Sequence, residues 1–182
     1  MNEKKIYKQL RRWFPKLKQN PLPKKKYRSK PKYFLQWLNF RDDDDEQQGE
    51  WIMPLNLSRY LENGLTEHPF FSQMTTEIEI VQMQIQSRAD PILKHYEQFE
   101  HVIGRFYRVQ DQILEIMLDE IYKFLKSQNF ALLLLWGDGY YWLAVPNQPK
   151  KIELFCELFN QQFLEEGLKV EKYEPSEMSW SI

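Results

Sequence analysis

The spacing of apolar positions changes period several times along the chain. Ile6, Leu10, Trp13, Phe14 and Leu17 recur at helical spacing, with Lys5, Lys8, Arg12 and Lys16 between them. This predicts a short basic amphipathic helix that stops near Pro15. Residues 18–32 contain Pro21, Pro23 and Pro31 and no core pattern, so an extended linker with polyproline II character is expected. Residues 33–40 read as an aromatic-rich strand. Residues 51–57 read as a second extended stretch, with Pro54 at an edge or at its end. The two are expected to form a hairpin over the acidic loop 41–50. Residues 58–64 predict one or two helical turns closed by Gly64.

Residues 76–86 (TEIEIVQMQIQ) alternate polar and apolar, with a phase slip at Ile80 and Val81. β-Branched content favours a strand with a bulge over a helix. Asp90 then caps a helix with Pro91 at its first position. Apolar positions from Ile92 to Phe124 step by alternating four and three, the pattern of a heptad helix and a route to self-association through residues 91–126. A single helix of that length would be ~54 Å long, against ~40 Å for a compact chain of this size. Gly104 also costs roughly 1 kcal/mol inside a helix. Two helices broken between Gly104 and Asp111 are therefore expected. Residues 130–136 (FALLLLW) are apolar on both faces, as in a central strand. Gly137, Asp138 and Gly139 give a hairpin turn through the positive φ that glycine tolerates, and residues 140–145 return. Pro149 opens a helix with Ile152, Phe155, Cys156, Phe159 and Phe163 on its core face. Gly167 ends it, and residues 168–173 form a last strand. From about residue 76 this is a ferredoxin-like βαββαβ order. It predicts an α+β fold whose antiparallel sheet carries helices on one face, with residues 1–75 covering the other.

Charge divides the chain where composition does not. The 182 residues carry a net charge of −1. Residues 1–33 hold thirteen Lys or Arg against Glu3 alone, a charge of +12, which leaves −13 on residues 34–182. The expected organisation is a basic N-terminal helix and linker, 1–33, joined to an acidic α+β domain, 34–182. Such asymmetry points to a macromolecular partner. The 15% aromatic content excludes disorder of the whole chain. One cysteine excludes a disulfide framework and a cysteine-based zinc site. No apolar run approaches the ~20 residues of a membrane span, and no apolar stretch follows the charged N-terminus as in a secretory signal. A cytoplasmic protein is expected.

Candidate chemistry is sparse. Asp42, Asp43, Asp44, Asp45 and Glu46 form an acidic run, but as a calcium loop it places Gln47 where Gly is needed and Met53 where Glu is needed. His95 and His101 lie about 120° apart on a helix and do not chelate one ion; Glu97 with His101 lacks a third ligand. His68 reads as a loop residue and Cys156 as a core residue. No phosphate-binding glycine loop, nucleophile elbow or HExxH motif occurs. No cofactor and no metal are expected. Residues 139–145 (GYYWLAV) resemble in part the RNP1 strand of RNA-recognition motifs, in which alternate aromatics stack on bases. Asp138, Tyr141 and Val145 depart from that pattern, and a packed hairpin is the plainer reading.

The expectation is a non-enzymatic protein-binding domain, of the inhibitor or immunity type. Its acidic body would neutralise a basic protein partner through Asp42, Asp43, Asp44, Asp45 and Glu46, with Trp37 and Trp51 as exposed anchors. The rival is a nucleic-acid-associated protein that uses Arg11, Arg12, Lys24, Lys25, Lys26 and Arg28 on its basic arm. A third is an enzyme without a recognisable motif.

Overall fold

The computed structural model describes residues 3–39, 51–55, 60–103 and 108–175. In chain order the elements are α1 (Glu3–Trp13), α2 (Pro31–Leu38), β1 (Ile52–Pro54), α3 (Thr75–Ile103), α4 (Val109–Ser127), β2 (Phe130–Trp136), β3 (Tyr140–Pro146), α5 (Pro149–Phe163) and β4 (Lys169–Lys172). Short 3₁₀ turns lie at Pro15–Lys18, Lys25–Tyr27 and Leu164–Glu166. The four strands form one antiparallel sheet in the order β1-β3-β2-β4.

This α+β architecture differs from the ferredoxin-like expectation in two strands: the first is Ile52–Pro54 and not residues 76–86, and the last has another place in the sheet. There the last strand returns beside the first; here β4 lies beyond β2, at the opposite edge. Both helical crossovers, β1 to β2 and β3 to β4, then step the same way across the sheet from strands of opposite direction. Crossovers of the usual right hand put their helices on opposite faces in that case. The two cores follow this division. Leu132, Leu134, Trp142 and Ala144 pack with α3 and α4, while Leu133, Leu135, Leu143 and Val145 pack with α1, α2 and α5. Helices on one face only is therefore corrected to helices on both. The near-continuous apolar run of β2 is what a strand covered twice requires.

Two segments expected as strands are helices. Residues 33–38 belong to α2, where Pro31 starts the helix and Phe34, Trp37 and Leu38 fall on one buried face. There is no hairpin with β1. Residues 76–86 lie in α3, where Ile78, Val81, Ile85 and Ala89 are buried at helical spacing. Ile80 and Met83, which an alternating strand would bury in part, are 52% and 68% exposed. Helical periodicity outweighs β-branched content here. Asp90 and Pro91 do not begin a helix; Pro91 lies inside the 29 residues of α3, on its exposed side. The expected break before Asp111 is present, since α3 ends at Ile103 and α4 starts at Val109.

The hairpin between β2 and β3 forms in the expected place, for a different reason. Neither Gly137 nor Gly139 has a left-handed φ. A Cβ on Gly137 would instead lie 2.9 Å from Leu168 Cδ1, so the residue is small because β4's lead-in crosses above it. Gly167 does take a φ of 83° and ends the last helical turn as expected.

Both sheet edges are closed by an asparagine. The Tyr173 N–H bonds to the Leu132 carbonyl, so the alternate residue Val170 turns its backbone outward. The Asn160 carboxamide on α5 meets it there, donating to the Val170 carbonyl and accepting its N–H, both at 2.8 Å. At the other edge Asn39, at the end of α2, holds Ile52 in the same way at 3.4 and 3.2 Å. Each amide fills the place of a next strand, and an open edge invites pairing with another chain. Asn160→Ala is expected to lower stability by about 1–3 kcal/mol and to raise concentration-dependent scattering. Urea titration with light scattering checks both, and Asn160→Asp, which keeps the acceptor alone, should fall between.

Candidate anion-binding site

The basic segment is folded onto the body. Ile6, Tyr7, Leu10, Trp13, Phe14 and Leu17 are all less than 5% exposed and join the core of α2 and α5. Trp13 packs edge-on against Phe155, and Phe14 tilts against Trp51. Burying that face forces Lys4, Lys8 and Arg12 outward on successive turns. After the 3₁₀ turn the chain runs back along α1, with Asn20 buried and Leu22 half-buried. Residues 18–32, expected as an extended linker, thus form a wall along α1 that includes the 3₁₀ turn Lys25–Tyr27 and the start of α2.

Side chains from α1 hold that wall. The Arg11 guanidinium donates from Nε to the Leu17 carbonyl at 3.1 Å and from Nη2 to the Asn20 carbonyl at 2.5 Å. The Tyr7 hydroxyl donates to the Arg28 carbonyl at 3.1 Å. Burial pushes the Tyr7 pKa well above the usual tyrosine value, so it stays a donor. Arg28 Nε donates to the Pro23 carbonyl at 2.9 Å. Between the walls lies an open groove of about 690 Å³. Lys4, Lys8, Arg11, Arg12, Lys18 and Arg28 line it, with Tyr7 and Leu22 as its apolar part, and among the described residues no carboxylate does. Of the cations in residues 3–32, Lys30 alone is paired to a carboxylate among the described residues, with Glu166 at 2.8 Å.

Of the sequence-predicted cations, Arg11, Arg12 and Arg28 converge here. Lys24, Lys25 and Lys26 are exposed beside the groove, with Lys26 Nζ over the Tyr27 ring at 4.8 Å. Lys4, Tyr7, Lys8 and Lys18 join the three arginines from outside the sequence-predicted set. The four-residue step from Lys4 to Lys8 to Arg12 was the available signal. The two tryptophans expected to anchor a protein partner are buried. Trp37 and Trp51 are 4% and 7% exposed, so neither is an exposed anchor. Trp37 lies against Tyr7 and under Arg11, and Trp51 against Phe14 and Phe70. Asp42, Asp43, Asp44, Asp45 and Glu46 lie outside the described residues.

Other candidates are closed or internally paired. Trp142 is 0% exposed, which removes the base-stacking role of the RNP1-like strand. A second open groove, between α4 and β4, carries both signs, but Arg108 pairs with Asp111 and Lys172 with Glu174. His68 is a loop residue, as expected, yet it is 0% exposed and stacks on Phe71 and Trp142. Burial pushes its pKa down to about 3. Burial also pushes the Cys156 thiol up to about 11, which keeps it protonated at neutral pH. Among the described residues no group of three or more His, Cys, Asp or Glu is placed to hold a metal ion. No helix there is long and apolar enough to cross a membrane. The chain matches no protein-family model, no curated protein and no solved structure.

Proposed function

We propose that this protein binds nucleic acid through its phosphates, using the outer face of α1 and the turn segment that follows. The observation that carries the reading is a groove of six cations with no lining carboxylate among the described residues. Lys4, Lys8 and Arg12 stand at i, i+4 intervals, where like charges destabilise a helix by about 0.2–0.5 kcal/mol per pair. Lys4 and Lys5 sit in the first turn, where a cation opposes the helix dipole. The helix is held by its buried face in spite of this charge pattern, and a polyanion would relieve it. Because that apolar face is spent in the core, α1 offers a bilayer no surface to insert. The role is binding without catalysis.

Exposed Lys8 and Arg12 give the test. Lys8→Glu/Arg12→Glu is expected to weaken binding to a labelled oligonucleotide at least tenfold and to reduce the slope of log K against log salt by about two. Fluorescence anisotropy across salt concentrations reads both. Unchanged affinity and slope would overturn the proposal. The charge of −13 on residues 34–182 favours a second reading, a basic protein partner held by the acidic body, possessing its own test in substitution of Asp42, Asp43, Asp44, Asp45 and Glu46 by amides.

A further inference from the structure

We infer that the groove between α1 and the chain that returns along it is a clamp for a compact run of linked phosphates. A di- or triphosphate is the chemistry it fits, as carried by a free nucleotide or by the 5′ end of a nucleic acid. This rests on the reading of the basic face and narrows it from a strip to a point.

Three features distinguish the groove from the lysines around it. First, its cations face one another. Lys4, Lys8, Arg11 and Arg12 come from one wall, and Lys18 and Arg28 from the other side. An extended backbone brings single charges at intervals and would be served as well by the open surface that carries Lys24, Lys25 and Lys26. Six cations around one concavity are neutralised only by a group that brings several charges together.

Second, two of the six are arginines fixed by backbone carbonyls. Arg11 is held at Nε and Nη2, which leaves Nη1. Arg28 is held at Nε alone, which leaves both terminal nitrogens for a ligand. A tethered guanidinium has already given up rotamer freedom that a surface lysine would lose on binding. Its planar fork matches two phosphate oxygens at once. Third, the tethers are themselves braced. Asn20, which receives Arg11, donates its side-chain amide to the Trp37 carbonyl in the core at 3.1 Å, and the peptide of Arg28 is held by Tyr7. The position of the two walls is therefore set by the fold before any ligand arrives.

The experiment uses the full chain with sodium tripolyphosphate and orthophosphate as probes, at matched ionic strength, by titration calorimetry. Tripolyphosphate is expected to bind at least tenfold tighter than orthophosphate and to displace a labelled oligonucleotide. Arg28→Lys, which keeps the charge and loses the fork, should lower tripolyphosphate affinity about tenfold while the protein stays folded at the assay temperature, as circular dichroism reads. Lys94→Gln, an exposed cation of α3 outside the groove, should leave tripolyphosphate affinity unchanged. Parallel arms with a nucleoside triphosphate and with an oligonucleotide bearing or lacking a 5′-triphosphate separate the two sources.

Equal affinity for the two inorganic probes, or full affinity in Arg28→Lys, overturns the clamp. If oligonucleotide binding then remains sensitive to Lys8→Glu/Arg12→Glu, the basic-face reading stands without it. If neither the oligonucleotide nor tripolyphosphate binds, both fall.

Discussion

Lowering the pH from 7 to 4 is expected to remove about 3 kcal/mol of folding stability through His68 alone. Its imidazole is enclosed between Phe71 and Trp142, with ring centroids 4.7 and 5.7 Å away. Nδ1 accepts the Phe70 N–H at 3.2 Å, and Nε2 is buried without a partner among the described residues. Burial disfavours the imidazolium, so the folded pKa of about 3 lies below the 6.5 of the unfolded chain. Between those values the unfolded state binds the proton and the folded state does not. The contribution is therefore complete above pH 6.5 and is lost as the pH falls toward 3. Urea unfolding midpoints from pH 7 to 4 measure it. His68→Asn keeps an acceptor near Nδ1 and cannot take the proton. Its stability should fall at pH 7 through lost stacking and then change less with pH than that of the parent. Parallel pH profiles for the two proteins would refute the assignment.

Replacing Trp142 by alanine should cost about 3–5 kcal/mol at pH 7, the largest loss expected from any single truncation of this sheet. Among the described residues Trp142 is the largest fully enclosed side chain. It stands on β3 between Met53 of β1 and Leu134 of β2. Its Nε1 donates to the Asn63 carbonyl at 2.9 Å, which ties the connection between β1 and α3 to the sheet. Truncation leaves a cavity against α3 and α4 and strips the Asn63 carbonyl of its donor. Trp142→Phe separates the two effects, because it fills most of the volume and supplies no N–H. Its loss should be about 1–3 kcal/mol. The double substitution with His68→Asn should fall short of the sum, since the rings are in contact. A loss below about 1 kcal/mol for Trp142→Ala would show that the site collapses freely.

The candidate site was partly legible. Arg11, Arg12 and Arg28 were visible as members of a basic segment, and the helical spacing of Ile6, Leu10 and Trp13 showed that α1 has an apolar face. What that face covers was not visible. The convergence of Arg11 and Arg28 depends on the chain's reversal after Phe14, made by backbone carbonyls that any residue supplies. Trp37 and Trp51 were misjudged for a related reason. An aromatic beside an acidic run reads as an exposed anchor, whereas here the α2 helix turns Trp37 under Arg11 and the β1 edge turns Trp51 toward Phe14.

Local signals by themselves determined α1, the β2–β3 hairpin, α5 with its glycine end and β4. In each, the apolar period agrees with the final environment, with Pro149 and Gly167 bounding α5 and its last turn, so short-range chemistry suffices; Gly137 in the β2–β3 turn is the exception, since Leu168 sets its size. The tertiary structure alone decided that β4 joins β2 and that the sheet is covered twice, and it decided between the helical spacing and the strand-like composition of residues 76–86 and 33–38. A β-branched segment is a strand only when a pleated surface is there to receive it, and the pattern of one segment does not reveal which neighbour offers that surface. The place of β4 decides on which face α5 lies, and α5 supplies part of the core on which α1 docks. In that way the basic helix, fully legible as a helix, became the wall of a groove only through a strand pairing made at the far end of the chain.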